Sequence, residues 1–242
     1  VAQWMNGETV IGIRVVNLDE TDSTNEYAKG IALEVPEGTV VIAKRQTAGK
    51  GRRGRSWASP EGGIWMSVIL KPPRVDPRLV FVGALAVSDT LADFGISAGI
   101  KWPNDVWVAG KKIAGILTEG KAGEYAILGI GLNVNNPIPP ELQRDAISMI
   151  ELIGAPLPLG KVLERLLFHL NAWYRIFKGR PDVMMAKVRE RTFILGRIVR
   201  VVEDDNVLIG RVVDVLDDGS LLLDIDGQLR RILYGDVSLR IP

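Results

Sequence analysis

The sequence predicts an α+β protein: a mixed sheet flanked by helices, followed by a small β-barrel. Through residue 193, short β-branched or apolar runs alternate with long helical patterns. From residue 194 onward only short strands remain, split by Asp- and Gly-containing turns. The expected division is therefore a larger domain over residues 1–193 and a small barrel over residues 194–242. With 242 residues, 47% of them apolar, the chain can bury a full core without covalent staples.

The elements follow in order. A strand at Ile13 to Leu18 leads into Asp22-Ser23-Thr24-Asn25-Glu26. There the S-x-x-E spacing of Ser23 and Glu26 predicts a capping box heading a helix from Thr24 to Glu34. Thr39 to Lys44 and Ile64 to Leu70 read as strands, and Pro77 to Phe94 as a helix apolar on most faces, hence buried. Three strands are expected around Ile100 to Trp102, Ile113 to Thr118 and Tyr125 to Asn133, then a Pro-rich loop at Asn136 to Pro140. Leu163, Leu166, Leu167, Leu170, Trp173 and Phe177 lie at helical spacing, and a further helix spans Pro181 to Arg191. Beyond Leu195-Gly196 come four strands with hairpin signals at Asp217-Asp218-Gly219 and Asp226-Gly227.

Composition excludes several chemistries. There are no cysteines, so no disulfide, thiolate metal site or cysteine nucleophile is available. The single histidine, His169, rules out a histidine metal cluster and a Ser-His-Asp triad and is read as structural. Net charge is +1, so any basic site must be local. No apolar run approaches the ~20 residues that span a bilayer. Val1 to Gly7 does not read as a signal peptide. A cytoplasmic protein that does not bind membranes is expected.

Two stretches carry chemistry. Gln46 to Trp57 interleaves Gly49, Gly51 and Gly54 with Lys50, Arg52, Arg53 and Arg55. Glycines let backbone amides approach an anion, and the cations supply charge-assisted hydrogen bonds to phosphate. The chain has no Walker sequence, and on composition alone this stretch is as readily a solvated basic turn or a nucleic-acid patch. The second stretch is Lys101-Trp102-Pro103-Asn104-Asp105, with Lys112-Ile113-Ala114-Gly115 opening the next strand. Asn104 and Asp105 alone are ordinary turn residues, but Lys101 and Lys112, read as members of the same hairpin, bring two further cations to one carboxylate.

Together these segments resemble the biotin–protein ligase family. The likeness rests on Ser23-Thr24-Asn25, Gln46 to Trp57, Lys101 to Asp105, Lys112 to Gly115, and Gly129-Ile130-Gly131-Leu132-Asn133-Val134-Asn135, in that order. It implies a class II synthetase-like catalytic domain, and the C-terminal strands, ending in Tyr234-Gly235-Asp236-Val237-Ser238, are similar to the family's SH3-like barrel. The implied reaction joins biotin to ATP as biotinyl-5′-AMP with Mg²⁺, then transfers biotin to a lysine of a biotin carboxyl carrier protein. By resemblance, Arg52 and Lys50 clamp the biotin carboxylate and phosphate, and Lys112 sits at the acyl–phosphate bond. Lys101, Asn104 and Asp105 complete the catalytic set, with Asp105 the metal candidate. Gly49, Arg53, Arg55, Trp57 and Asn133 are assigned to the adenylate. Biotin's ureido ring needs neutral polar partners, for which Ser23, Thr24 and Gln46 are suited; Asn25, Gly51 and the main chain of Gly115 complete that pocket.

Two features depart from the family pattern. Lys50 stands where arginine is usual, which keeps the charge and loses the planar fork. Only about a dozen residues precede the first strand, where some members carry a DNA-binding domain, so a ligase without DNA binding is expected. Homodimers are common in the family, but no residue here indicates one. A lipoate–protein ligase shares the fold and adenylate chemistry but organises its basic loop as R-R-x-S-G-G-G and lacks K-W-P-N-D. A nucleic-acid-binding module would interleave aromatics with the cations, and only Trp57 is near.

Overall fold

The computed structural model describes residues 9–72, 74, 76–203, 206–233 and 235–238. Val1 to Gly7 and Tyr234, named above, lie outside them. Twelve strands and five α-helices occur among the described residues.

The larger sheet has the order β1 (Val15–Thr21), β2 (Val40–Gln46), β3 (Ile64–Leu70), β7 (Tyr125–Leu132), β6 (Lys111–Lys121), β5 (Asp105–Val108) and β4 (Gly99–Lys101). The β1–β2 pair is parallel, bridged by helix α1 (Thr24–Ile31), and the other pairs are antiparallel. Every residue of the interior strand β3 is buried, in keeping with a run that is apolar except at Ser67.

Alternation along the strands sends side chains to two different layers. On one face, Val68, Leu128, Leu132, Ile116 and their neighbours pack under α2 (Leu79–Asp93), which α4 (Leu159–Gly179) and α5 (Pro181–Arg191) cover in turn. Caught between the sheet and α4, α2 is apolar nearly all round. On the other face, among the described residues, α1 is the helix that covers the sheet, through Ala28 and Ala32 against Val41, Ile69 and Ile127. That second layer is incomplete, and the uncovered part of the sheet is where the cavity described below lies.

Residues 194–238 form an antiparallel sheet in the order β11 (Gln228–Ile232), β10 (Leu221–Ile225), β9 (Asn206–Val215), β8 (Ile198–Glu203) and β12 (Asp236–Ser238). Among the described residues β11 and β12 are its two edges, and no pairing between them closes the sheet. This unit shares one core with the larger sheet: Val199, Val201, Val212, Leu221 and Leu223 are fully buried in the same apolar cluster as α2 and β3. Trp102 Nε1 donates to Gly219 O (2.8 Å) and Arg189 Nε to Val215 O (2.7 Å), which fixes the small sheet against the large one.

Three expectations are corrected. The first helix ends at Ile31, and Ser23, although extended at its N-cap position, makes no side-chain cap hydrogen bond. Ser23 N donates to Asp22 Oδ1 (2.6 Å), and Glu26 pairs instead with Lys29 (2.7 Å) and Lys50 (2.9 Å). Strand β5 and the short helix α3 (Met149–Ile153) were not anticipated; Trp-Pro-Asn-Asp reads as turn, and β5 is only four residues long. Lys101 and Lys112 do not share a hairpin but lie on β4 and β6, either side of β5. No helix among the described residues is long and apolar enough to cross a membrane.

Candidate active site

A trough runs across the α1 face of the large sheet. Its base is made by glycines paired across strands, Gly115 of β6 opposite Gly131 of β7, with Leu117 opposite Gly129. The same strand β7 sends Leu128, Ile130 and Leu132 into the core on its other face, so the G-I-G pattern writes a bare groove on one side and a packed layer on the other. The clearance is small. A Cβ on Gly131 would lie 2.4 Å from Trp57 Nε1, and one on Gly129 would lie 2.3 Å from Asn25 Oδ1. Any side chain at either position would fill the trough or expel those groups.

One end of the trough is neutral and polar. Gln46 Oε1 accepts from Thr24 N (2.8 Å) and Thr24 Oγ1 (3.1 Å), while Gln46 Nε2 donates to Ser59 Oγ (2.7 Å). Fully buried Ser67 places its hydroxyl 2.6 Å from Asn25 Oδ1 and 2.8 Å from Thr24 Oγ1, and Asn25 Nδ2 donates to Glu119 Oε2 (2.8 Å). Each polar group is oriented by the next, so this end is rigid and carries no net charge at the wall except Glu119, which Lys29 neutralises (2.7 Å).

The other end is cationic. Lys112 Nζ is 2.6 Å from Asp105 Oδ1 and 5.0 Å from the Trp57 ring centroid. Lys112's backbone is pinned by Asp145 O (2.8 Å) and Ile147 N (3.0 Å), so the lysine issues from a fixed point. Arg52 Nη1 donates to Asn104 Oδ1 (3.3 Å) and Gly235 O (3.1 Å), and Asn104 Nδ2 donates to Ile116 O (3.0 Å). Burial lowers the Arg52 guanidinium below its usual range, with Asp236 opposing and Arg53 adding to the shift. Burial likewise depresses Lys101, whose ammonium is 4.4 Å from the Trp107 ring; Asp105 opposes this and Lys112 adds to it.

Most of the residues singled out from sequence meet here. Ser23, Thr24, Asn25, Gln46, Lys50, Gly51, Arg52, Arg55, Trp57, Lys101, Asn104, Asp105, Lys112 and Gly115 all line this one cavity. Three are placed elsewhere. Gly49 lies at the loop base, where a Cβ would meet Trp57 O at 2.5 Å. Arg53, at φ 54°, reaches outward to Val202 O (3.2 Å). Asn133 is buried behind the wall, donating to Ile147 O (3.1 Å) and accepting from Asn136 (3.1 Å), so its amide is already used. Lys50 leans back to Glu26 rather than standing free over the trough. Sequence reasoning did not single out Ser67, Glu119 or Asp236 as site residues. Asp236 sat in a quoted motif, whereas Ser67 and Glu119 had no local signal.

A trough with a neutral polar end and a cationic end fits a ligand that is itself neutral and polar at one end and anionic at the other. Residues 18–135 match the model of the biotin/lipoate A/B protein ligase family, and residues 194–240 match that of the biotin protein ligase C-terminal domain. A biotin--[acetyl-CoA-carboxylase] ligase of Mycobacterium tuberculosis is 35% identical over 193 residues, 75% of this chain and 72% of that protein. The bifunctional ligase/repressor BirA of Bacillus subtilis is 40% identical over 179 residues, 69% of this chain; the aligned part is 55% of its own length. The solved biotin protein ligase from Aquifex aeolicus in complex with biotin and ATP superposes with a TM-score of 0.85 at 32% identity, covering 93% of this chain and 98% of that one. The chain belongs to the biotin protein ligase family.

Proposed function

We propose that the chain ligates biotin to a lysine of a biotin carboxyl carrier domain at the expense of ATP. The observation that carries this reading is the two-ended trough: neutral hydrogen-bonding groups over paired glycines at one end, cations at the other. Ser23, Thr24 and Gln46 supply donors and acceptors for the ureido N–H and carbonyl groups, and the glycine floor leaves room for the fused ring system. The valeryl carboxylate then falls toward Lys112 and Arg52.

In the first step a carboxylate oxygen attacks the α-phosphorus, an O–P bond forms, and the bond to pyrophosphate breaks. Two anions must meet, so the role of Lys112 and Arg52 is to neutralise the developing charge from fixed positions. In the second step the uncharged acceptor lysine attacks the acyl carbon and AMP leaves. Asp105, the carboxylate nearest Lys112, is placed to orient that amine. Among the described residues no three His, Cys, Asp or Glu groups gather as a cation cage. Asp105 would be the protein carboxylate offered to a Mg²⁺ ion brought in with ATP, as hard oxygen ligands suit that ion. When bound, the ion offsets charge on the leaving pyrophosphate.

The test is incubation with ATP, Mg²⁺ and equimolar biotin and lipoate, followed by mass spectrometry. Biotinyl-AMP is expected, and lipoyl-AMP alone would overturn the assignment in favour of the lipoate branch. Arg52→Ala is expected to speed release of bound biotinyl-AMP roughly 10-fold or more, since it removes a half-buried charged partner. Stopped-flow release rates check it, and an unchanged rate would take Arg52 out of the clamp.

A further inference from the structure

We infer that Asp236 is a positioning residue for the nucleotide, contributed to the site by the C-terminal sheet. This rests on the ligase reading above and adds a residue that it does not use. The basic loop brings three guanidinium groups, those of Arg52, Arg53 and Arg55, into one small region, where they repel one another. A single carboxylate answers all three. Asp236 is ion-paired with Arg55, and its oxygens lie 3.9 Å from Arg52 Nη1 and 4.0 Å from Arg53 Nη1. The Asp236 side chain is about one-fifth exposed (22%), so solvent does not fully screen it.

The backbone on either side reinforces the pairing. Gly235 O accepts from Arg52 and Val202 O from Arg53, and Asp236 is registered opposite Val202 where β12 pairs with β8. A Cβ on Gly235 would come within 2.8 Å of Val201 Cγ1, so the loop-facing edge of β12 is held tightly against β8. Asp236 also lines the trough itself, at its cationic end. At the neutral end Thr24, Gln46, Ser59, Ser67 and Asn25 orient one another, with no hydrogen bond from the C-terminal sheet among the described residues.

This asymmetry separates the two substrates. A carboxylate that gathers the arginines lowers the cost of bringing them together before the triphosphate arrives, and it leaves the ureido pocket untouched. Asp236→Asn keeps the size and removes the charge. It is expected to weaken Mg·ATP binding, measured by calorimetry with biotin present, about 10-fold, with biotin binding changed less than about 2-fold. Asp236→Glu restores the carboxylate and is expected to recover most of the ATP affinity. Thermal melting monitors both variants for folding.

Unchanged ATP affinity in Asp236→Asn would overturn the inference. So would parallel loss of biotin and ATP affinity, the mark of general loosening, or failure of Asp236→Glu to recover what Asp236→Asn loses. If Asp236→Asn does not fold, the comparison passes to Asp236→Glu and Asp236→Ser, with the same split required. A chain that binds Mg·ATP through Asp236 but adenylates another acid would sink the biotin assignment and leave this inference standing. A chain that binds no Mg·ATP would sink both.

Discussion

Replacing Lys112 by alanine is expected to slow formation of biotinyl-AMP by ~10²-fold or more, the usual effect of removing one fixed electrostatic stabiliser. Lys112 is anchored by its own backbone hydrogen bonds to Asp145 and Ile147, and its ammonium is held between Asp105 and the Trp57 ring. Its position is therefore set before substrate arrives, which is what makes a cation effective against developing charge. The variant also leaves Asp105 Oδ1 buried beside no ammonium, so some loss of stability accompanies the loss of rate. The double variant Lys112→Ala with Asp105→Asn removes that unpaired charge. It should regain stability and not rate. Single-turnover adenylation beside thermal melting separates the two effects, and a folded Lys112→Ala protein with the parent rate would remove Lys112 from the chemistry.

Deleting residues 194–242 should be at least as damaging to adenylation, by ~10²-fold or more, while biotin binding survives. The deletion takes away Gly235 O and Asp236, the groups that hold Arg52 at the trough, but none of the neutral groups around Thr24 and Gln46. It also has a structural cost. Trp102 Nε1 loses Gly219 O as its acceptor, Arg189 loses Val215 O, and the apolar cluster shared with Val199, Val201 and Leu221 is opened to water. The truncated protein should therefore melt at a lower temperature yet still bind biotin in calorimetry. Full labelling of an acceptor domain by residues 1–193 would show the C-terminal sheet to be a passenger in the reaction.

Much of this protein was legible from local sequence, for a physical reason. The limits of Ile64–Leu70 and Pro181–Arg191 follow from apolar periodicity and from proline at a helix start, which act over a few residues. The resemblance carried by the five ordered motifs named most of the residues that line the trough, and in the G-I-G strand the reason is local, since a groove on one strand face needs small residues at every second position.

The decisive pairings were not legible. Ser23 and Glu26 have capping-box spacing, yet Glu26 turns to Lys50, a partner 24 positions away that only the fold brings near. Arg53 and Asn133 stand inside the right motifs yet do not line the trough, since a left-handed turn at one and a buried amide pair at the other set their directions. Glu119 reaches Asn25 across 94 positions, and Asp236 reaches Arg55 across 181. Periodicity encodes which face a residue occupies. Which charge answers which depends on how sheets and helices pack, and that was settled only when β12 closed over the arginine loop.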